Sequence, residues 1–331
     1  MKTGLEHEDL VNRLSRTGTV QEVIDNKWRS LGGEPGAPKV PGPRGLIQFA
    51  PNRFFREYAN GRIYHTADEV VWVHGDILAK HMQLGGPTSW LGLPRTDELD
   101  FPDNGKVTFF QNGAIYWWPD TGPRDLNNVV VHYTGLVCFG ETDVDQGGST
   151  DDEPYATIGV LAPDGTKQTV QSQIYDDVDA GESRFEVIEI YRGKPHGLTL
   201  STILREHSDG DPEESRKAVT EAADKAGPAL AGAVTFIPVV GPVLGPLASK
   251  AYELFRDDLI GALNSFVENT LGFSDRPLGS DLISLTPKQM VLLATRPQGH
   301  DLEKGIPWRV ETALLSRFGA SYKVYFNIFP A

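Results

Sequence analysis

Apolar and polar residues alternate in short runs through the second half of the chain, and turn signals separate these runs. Pro163-Asp164-Gly165, for example, is typical of a tight turn. Several short strands separated by turns indicate an antiparallel sandwich. We therefore predict a β-sandwich of about eight strands over residues 129–331, with strand-like runs at 129–139, 155–162, 166–175, 185–191, 198–206, 289–295, 308–315 and 322–329.

The pattern changes to helical spacing at about 212–273, between the fifth and sixth runs. Residues 212–225 and 247–271 have the spacing of amphipathic helices, and residues 227–249 are almost entirely apolar, Gly and Pro. Because the prolines break a continuous helix, we predict an inserted α-hairpin. Its apolar tip is either buried against protein or inserted into a bilayer. The candidate membrane-insertion residues are Phe236, Ile237, Val239, Val240, Val243 and Leu244.

The first half of the chain contains an internal repeat. The segment 24–33 recurs at 77–86, and Asn60-Gly-Arg-Ile-Tyr64 recurs as Asn112-Gly-Ala-Ile-Tyr116, with Phe54-Phe55 matched to Phe109-Phe110. Each copy predicts a helix closed by Gly-Gly, a Pro-rich loop and a hairpin with an Asn-Gly turn. Residues 1–22 predict a further short amphipathic helix, and residues 119–128 predict a turn-rich linker between domains 1–122 and 129–331.

The second copy resembles the LGFP repeat of actinobacterial cell-envelope proteins. It carries Leu84-Gly-Gly-Pro-Thr-Ser-Trp-Leu91-Gly92-Leu93-Pro94, whereas the first copy has Pro35-Gly-Ala-Pro38 at the Leu-Gly-x-Pro element. The resemblance covers about residues 23–122. It implies attachment to a cell-wall or other glycan surface.

The aromatic residues of this half suit such a role. Flat aromatic rings with polar neighbours are common in carbohydrate sites. The same residues could instead pack between the repeats, although one of the adjacent Trp117 and Trp118 must face outward from an alternating strand. The candidate glycan-binding residues are Trp72, Trp90, Tyr116, Trp117 and Trp118.

Three acidic loops follow strand-like runs in the second half. They are either solvated turns, since Asp is common in turns, or ligands that converge on a hard cation such as calcium. The candidate metal ligands are Asp143, Asp145, Asp151, Asp152, Asp176, Asp177, Asp179, Glu206, Asp209 and Asp211.

The order of these loops resembles the C2 domain, a calcium-dependent phospholipid-binding module. Asp151-Asp152-Glu153-Pro154-Tyr155 is similar to the family's Asp-Pro-Tyr element, with Glu153 inserted, and Glu206, Asp209 and Asp211 resemble its later acidic loop. The resemblance implies calcium as a cofactor and a phospholipid membrane as a partner. Asp176, Asp177 and Asp179 depart from the family pattern.

Composition restricts the function further. The 331 residues carry a formal net charge of −14, which argues against nucleic-acid binding. The single cysteine, Cys138, excludes an internal disulfide and is interpreted as a buried thiol rather than a catalytic one.

The N-terminus has no signal-peptide core, which indicates a cytoplasmic protein or non-classical export. No catalytic motif is present, so no catalytic residue is proposed.

The sequence thus predicts an α+β protein, with an LGFP-type repeat module followed by a C2-like antiparallel β-sandwich that carries an α-hairpin insertion. The predicted function is non-catalytic, lectin-like attachment to a glycan or cell-envelope surface, with calcium bound by the sandwich loops. The alternatives are a membrane-active toxin that uses residues 227–249 and a hydrolase of cell-wall material. The glycan, the lipid and the oligomeric state stay open.

Overall fold

The structure is a computed structural model that describes residues 19–66, 68–142, 152–164, 166–207, 276–297 and 301–331, together with Lys217. The chain is mostly β with a few helices and contains several sheets. It divides into two compact units between Leu126 and Asn127. The predicted domain boundary, at 122–129, spans this position.

Unit 1 contains two copies of a helix and a four-stranded antiparallel sheet. The helices are α1 (Val20–Ser30) and α2 (Gly75–Gln83). The first sheet has the order β1-β2-β3-β4 and the second the order β5-β6-β7-β8. The strands are β1 (Leu46–Ala50), β2 (Arg53–Tyr58), β3 (Gly61–His65), β4 (Val70–Val73), β5 (Leu99–Phe101), β6 (Gly105–Phe109), β7 (Ala114–Trp118) and β8 (Gly122–Leu126).

Local sequence explains where these helices begin and end. Thr19 and Glu22 form a capping box that satisfies free N–H groups at the start of α1. Gly32 and Gly33 follow α1 with φ of 63° and 81°, and Gly85 and Gly86 follow α2 with φ of 112° and 62°. The predicted helix, Pro-rich loop and hairpin are present in both copies, but the two turn residues are Ala59-Asn60 and Gln111-Asn112, so the turn lies one residue before the predicted Asn-Gly. The predicted helix over 1–22 lies mostly outside the described residues.

The structure corrects two details of the repeat. Pro38 bridges to Tyr58 and Pro94 bridges to Phe110, so Tyr58 rather than Phe55 is equivalent to Phe110. The matched Phe-Phe pairs are therefore out of register. The prediction of a linker at 119–128 is also wrong in part, because residues 122–126 form β8, which pairs with β7 and completes the second sheet.

The two helices cover apolar sheet residues. α1 buries Ile24 against Ile63 and Trp72 of the first sheet. α2 contributes Ile77 to a cluster that includes Tyr64 of β3 and Ile115 of β7. Burial of such side chains contributes about 1.5–3 kcal/mol each, so packing on the sheet stabilises these short helices.

Besides a two-stranded sheet in which residues 301–303 pair with residues 306–308, the described residues of unit 2 form two larger antiparallel, sandwich-like sheets. One has the order β11-β10-β13-β14, and the other has the order β12-β9-β19-β17 with β18 also paired to β19. The strands are β9 (Val129–Gly140), β10 (Pro154–Leu161), β11 (Lys167–Gln171), β12 (Ser183–Gly193), β13 (Leu198–Glu206), β14 (Arg276–Leu285), β15 (Asp301–Glu303), β16 (Ile306–Trp308), β17 (Val310–Glu311), β18 (Leu315–Arg317) and β19 (Ala320–Pro330).

The structure replaces one predicted strand by a helix. Residues 287–294 form α3 (Pro287–Ala294), so the strand predicted at 289–295 is wrong. Thr286 and Gln289 form a capping box and Pro287 occupies the first turn, and these start signals outweigh the short apolar run. Strand β14 was not predicted. The predicted strand count stays a prediction, and the predicted α-hairpin insertion lies outside the described residues, apart from Lys217.

Two hydrogen-bonded clusters link the sheets of unit 2. Asp152 lies just before β10 and accepts two hydrogen bonds. The hydroxyl of Tyr322 on β19 donates to its Oδ2 at 2.6 Å, and Thr142 Oγ1 donates to its Oδ1 at 2.7 Å. The hydroxyls of Tyr133 and Tyr175 lie 3.0 Å apart, and Tyr175 donates to Glu186 Oε2. Because Asp152 is fully buried, both of its oxygens are committed to the fold.

Candidate functional site

Three of the five predicted glycan-binding aromatics belong to the core of unit 1. Tyr116 and Trp118 are fully buried, and Trp72 is 8% exposed. The indole N–H of Trp118 donates to Pro102 O, and that of Trp72 donates to Asn60 O, each at 2.9 Å. Their rings have no free face for a sugar. For these three residues the prediction is corrected, and packing within the unit explains them.

Trp90 is different, because 46% of the residue is exposed. Its ring lies over Gly113, where a β-carbon would come within 2.8 Å of the indole, so glycine makes room for it. The indole N–H donates to Asp125 Oδ2 at 3.2 Å. The other oxygen of Asp125 pairs with the ammonium of Lys80 at 2.9 Å. Trp90 is therefore an exposed ring whose orientation is set by a charged pair.

Trp117 lies beside the same helix. It is partly buried, and its indole N–H donates to Asp76 Oδ2 at 2.9 Å. Asp76 and Lys80 are four residues apart on α2 and therefore share one helix face. Trp117 and Asp125, on neighbouring strands of the second sheet, also share a face because Ile115 pairs with Asp125 and Trp117 with Pro123. Two indoles, two carboxylates and one ammonium thus form a row along α2. We call this set the row; its members are Trp90, Trp117, Asp76, Asp125 and Lys80.

The first repeat shows which parts of this row the architecture requires. Asn60 Nδ2 donates to Glu34 O at 3.0 Å, and the equivalent Asn112 Nδ2 donates to Trp90 O at 2.9 Å. Glu34 and Trp90 thus hold the same place, and only their backbone carbonyls take part in the shared bond. The shared bond does not need the indole of Trp90, whose own contacts are with Gly113 and Asp125.

A second equivalence concerns the helix residues Trp28 and His81. Trp28 Nε1 donates to Gly36 O at 2.7 Å, and His81 Nε2 lies 3.1 Å from Gly92 O. Each ring therefore ties its helix to the loop that carries the Leu-Gly-x-Pro element or its counterpart. Burial lowers the pKa of His81, although its contacts with the carbonyls of Gly92 and Gly86 oppose this shift. His81 is thus a neutral structural residue.

The segments that carry the predicted acidic loops meet at one end of unit 2. Glu141 Oε1 accepts a bond from Ala180 N at 2.8 Å. Asp152 and Val178 form an isolated bridge, and His207 N donates to Glu153 O at 2.9 Å. Asp143, Asp145, Asp151, Asp209 and Asp211 lie outside the described residues, so their side chains are not placed.

Two of the described candidate ligands, Asp152 and Glu206, have protein partners for their carboxylates. Asp152 is buried with Tyr322 and Thr142, as above, and Glu206 lies 3.3 Å from Arg276. Arg184 pairs with Glu182 at 2.8 Å and donates to the backbone carbonyls of Asp176 and Asp177. Within the described part of the chain, no group of three or more His, Cys, Asp or Glu side chains is arranged to hold a metal ion. Calcium binding stays a prediction.

The predicted membrane-insertion residues, between Phe236 and Leu244, also lie outside the described residues. Among the residues that are described, no helix combines the length and apolar character needed to cross a membrane. Bilayer insertion by this segment stays a prediction of the sequence.

The sequence reasoning missed the polar partners Asp76, Lys80 and Asp125. The sequence contains one signal, because Lys27 and Lys80 are equivalent in the repeat. In the structure Lys27 pairs with Asp97 and Lys80 pairs with Asp125. The aspartates themselves stand at non-equivalent positions, which hid the relationship.

Comparison with known proteins finds a family match within the second repeat. The family model of the LGFP repeat matches residues 91–131, so the chain carries an LGFP repeat there. The match begins directly after Trp90 and includes Gly92, Asn112, Trp117 and Asp125. No curated protein matches the chain.

Proposed function

We propose that the protein is a non-catalytic binding protein that attaches to a glycan or cell-envelope polysaccharide through its second repeat. One observation carries the proposal: Trp90 is 46% exposed and its indole is oriented by Asp125, while the hydrogen bond that the two repeats share uses only its backbone carbonyl. The LGFP repeat at 91–131 supports the same ligand class, because the resemblance implies attachment to a glycan surface.

The chemistry of the row fits a sugar. An exposed indole face packs on the C–H surface of a pyranose, and polar groups beside it orient the hydroxyls. Asp125 and Lys80 supply such groups within hydrogen-bonding distance of the ring or of each other. Trp90 supplies the affinity, and the charged pair holds the indole in one orientation.

The test is a depletion assay of the full chain with insoluble peptidoglycan, chitin and cellulose. We expect at least one of these to deplete the protein, and Trp90→Ala to weaken that binding by about tenfold, or about 1.4 kcal/mol. Trp90→Phe should retain most of the affinity because it keeps an aromatic face.

The matched control is Glu34→Ala, which truncates the equivalent exposed side chain in the first repeat and leaves the carbonyl bond to Asn60 intact. It should leave binding unchanged. Thermal melts should show that both alanine variants are folded at the assay temperature, although Trp90→Ala loses the contact of its ring with Gly113. Equal binding by Trp90→Ala and the parent, or depletion by none of the three polysaccharides, would overturn the proposal.

A further inference from the structure

The charges around Trp90 restrict the kind of glycan that the second repeat can bind. Asp125 accepts from the indole of Trp90 with one oxygen and from Lys80 with the other, and its side chain is 23% exposed. A carboxylate offers about four acceptor sites, so about two remain. Asp76 likewise accepts from Trp117. The exposed acceptors of the row are therefore carboxylate oxygens.

The charged donors of this surface are paired with carboxylates. Lys106, which lies opposite Trp117 on β6, is paired with Asp100. The N–H groups of Trp90 and Trp117 already donate to carboxylates. The side chain of Lys80 is 22% exposed, and its ammonium is paired with Asp125. Arg124 projects from the opposite face of β8, because neighbouring residues in a strand point to opposite sides. The three charged groups of the row sum to a net negative charge, within a protein of charge −14.

We propose that the second repeat selects uncharged glycans and that Asp125 is a direct ligand, accepting hydrogen bonds from sugar hydroxyls beside the Trp90 ring. This inference rests on the proposed function. Hydroxyl groups donate to the carboxylate, whereas the carboxylate of a uronic acid meets a surface on which the carboxylates Asp76 and Asp125 outnumber the ammonium of Lys80. Asp125 thus both binds neutral sugars and rejects acidic ones.

The test compares matched polysaccharides that differ only in charge. Bead-bound galactan, mannan and glucan are each measured beside a copy in which the primary hydroxyl is oxidised to a carboxylate. For each neutral polymer that binds, we expect the oxidised form to bind about tenfold more weakly. Asp125→Asn keeps an oxygen that can accept from Trp90 but removes the charge. It should weaken neutral binding and bring the neutral-to-oxidised ratio close to one.

Glu34→Gln is the control for net charge, since it removes one negative charge from the first repeat without touching the row. It should leave the ratio unchanged. Oxidised polymers that bind as well as neutral ones, or an unchanged ratio in Asp125→Asn, would overturn the selectivity while leaving glycan binding intact. Weaker binding of the neutral polymers by Trp90→Ala, measured at a temperature where this variant is folded, separates these outcomes because it tests the proposed function alone. Binding to none of the polymers would overturn both.

Discussion

Asn60 and Asn112 make the same hydrogen bond in the two repeats of unit 1. Each amide nitrogen donates to the backbone carbonyl of the residue that precedes the loop turn, Glu34 at 3.0 Å and Trp90 at 2.9 Å. Each asparagine belongs to the hairpin turn and also fastens the Pro-rich loop to it. The same bond therefore holds the loop in both repeats, although the segment from the Gly-Gly pair to Gly36 or Gly92 is three residues longer in the second.

Asn60→Ala and Asn112→Ala should each destabilise unit 1 by about 1 kcal/mol, because each removes one side-chain to backbone hydrogen bond. Urea unfolding monitored by tryptophan fluorescence measures the change. Glu34→Ala, which keeps the accepting carbonyl, should have no effect. A destabilisation confined to one of the two asparagines would contradict the equivalence.

His196 makes unit 2 less stable in acid. Burial lowers its pKa to about 4 from the usual 6.5; Lys194 adds to this shift and Asp164 opposes it. Because the unfolded chain binds the proton first, stability is full above pH 6.5 and falls as the pH drops from 6.5 to 4. The loss amounts to about 3 kcal/mol at most. Thermal unfolding between pH 7.5 and 4.5 should show it, and His196→Gln should reduce the slope. An unchanged slope would exclude His196 as its source.

Phe318 occupies a backbone conformation that a bulky side chain rarely adopts. It has φ of 55° and Gly319 has φ of 88°, in the two-residue turn between the paired residues Arg317 and Ala320. This turn favours Asn-Gly. Phe318→Asn should therefore raise the stability of unit 2 by about 1 kcal/mol.

Phe318→Ala is the matched comparison, because it loses the aromatic ring but keeps a side chain that disfavours positive φ. It should be less stable than Phe318→Asn in a thermal melt. A result in which Asn and Ala are equally stable would mean that the ring contacts with Arg276 and Arg317, rather than the backbone, decide the stability.

Local patterns sufficed for the repeat of unit 1 and for most strands of unit 2. Gly-Gly after Leu31 and Leu84 has a direct backbone cause, and the structure follows it; Asn-Gly at 60 and 112 marks each hairpin, although the turn lies one residue earlier. The prediction of a strand at 289–295 is wrong because the apolar residues from Met290 to Leu293 are equally compatible with a buried strand and a buried helix. The capping residues Thr286 and Gln289 decide between them.

The candidate site was predicted only in part. In the sequence, Trp72, Tyr116 and Trp118 are aromatic residues of the repeat region just as Trp90 is. Only the fold shows that these three fill the core. The roles of Asp76 and Asp125 depend on α2 packing on β7 and β8, which brings together residues distant in the chain. Such pairing has no local signal in one sequence.

The burial of Cys138 has a practical consequence. It is the single cysteine of the chain, lies fully buried in β9, and has a raised pKa because of that burial. Thiol-reactive dyes attack the thiolate and need access to it, so the folded protein should stay unlabelled. A cysteine introduced at an exposed position such as Glu34 would then carry a fluorophore alone, and the chain is already suited to single-site labelling without removal of its own thiol.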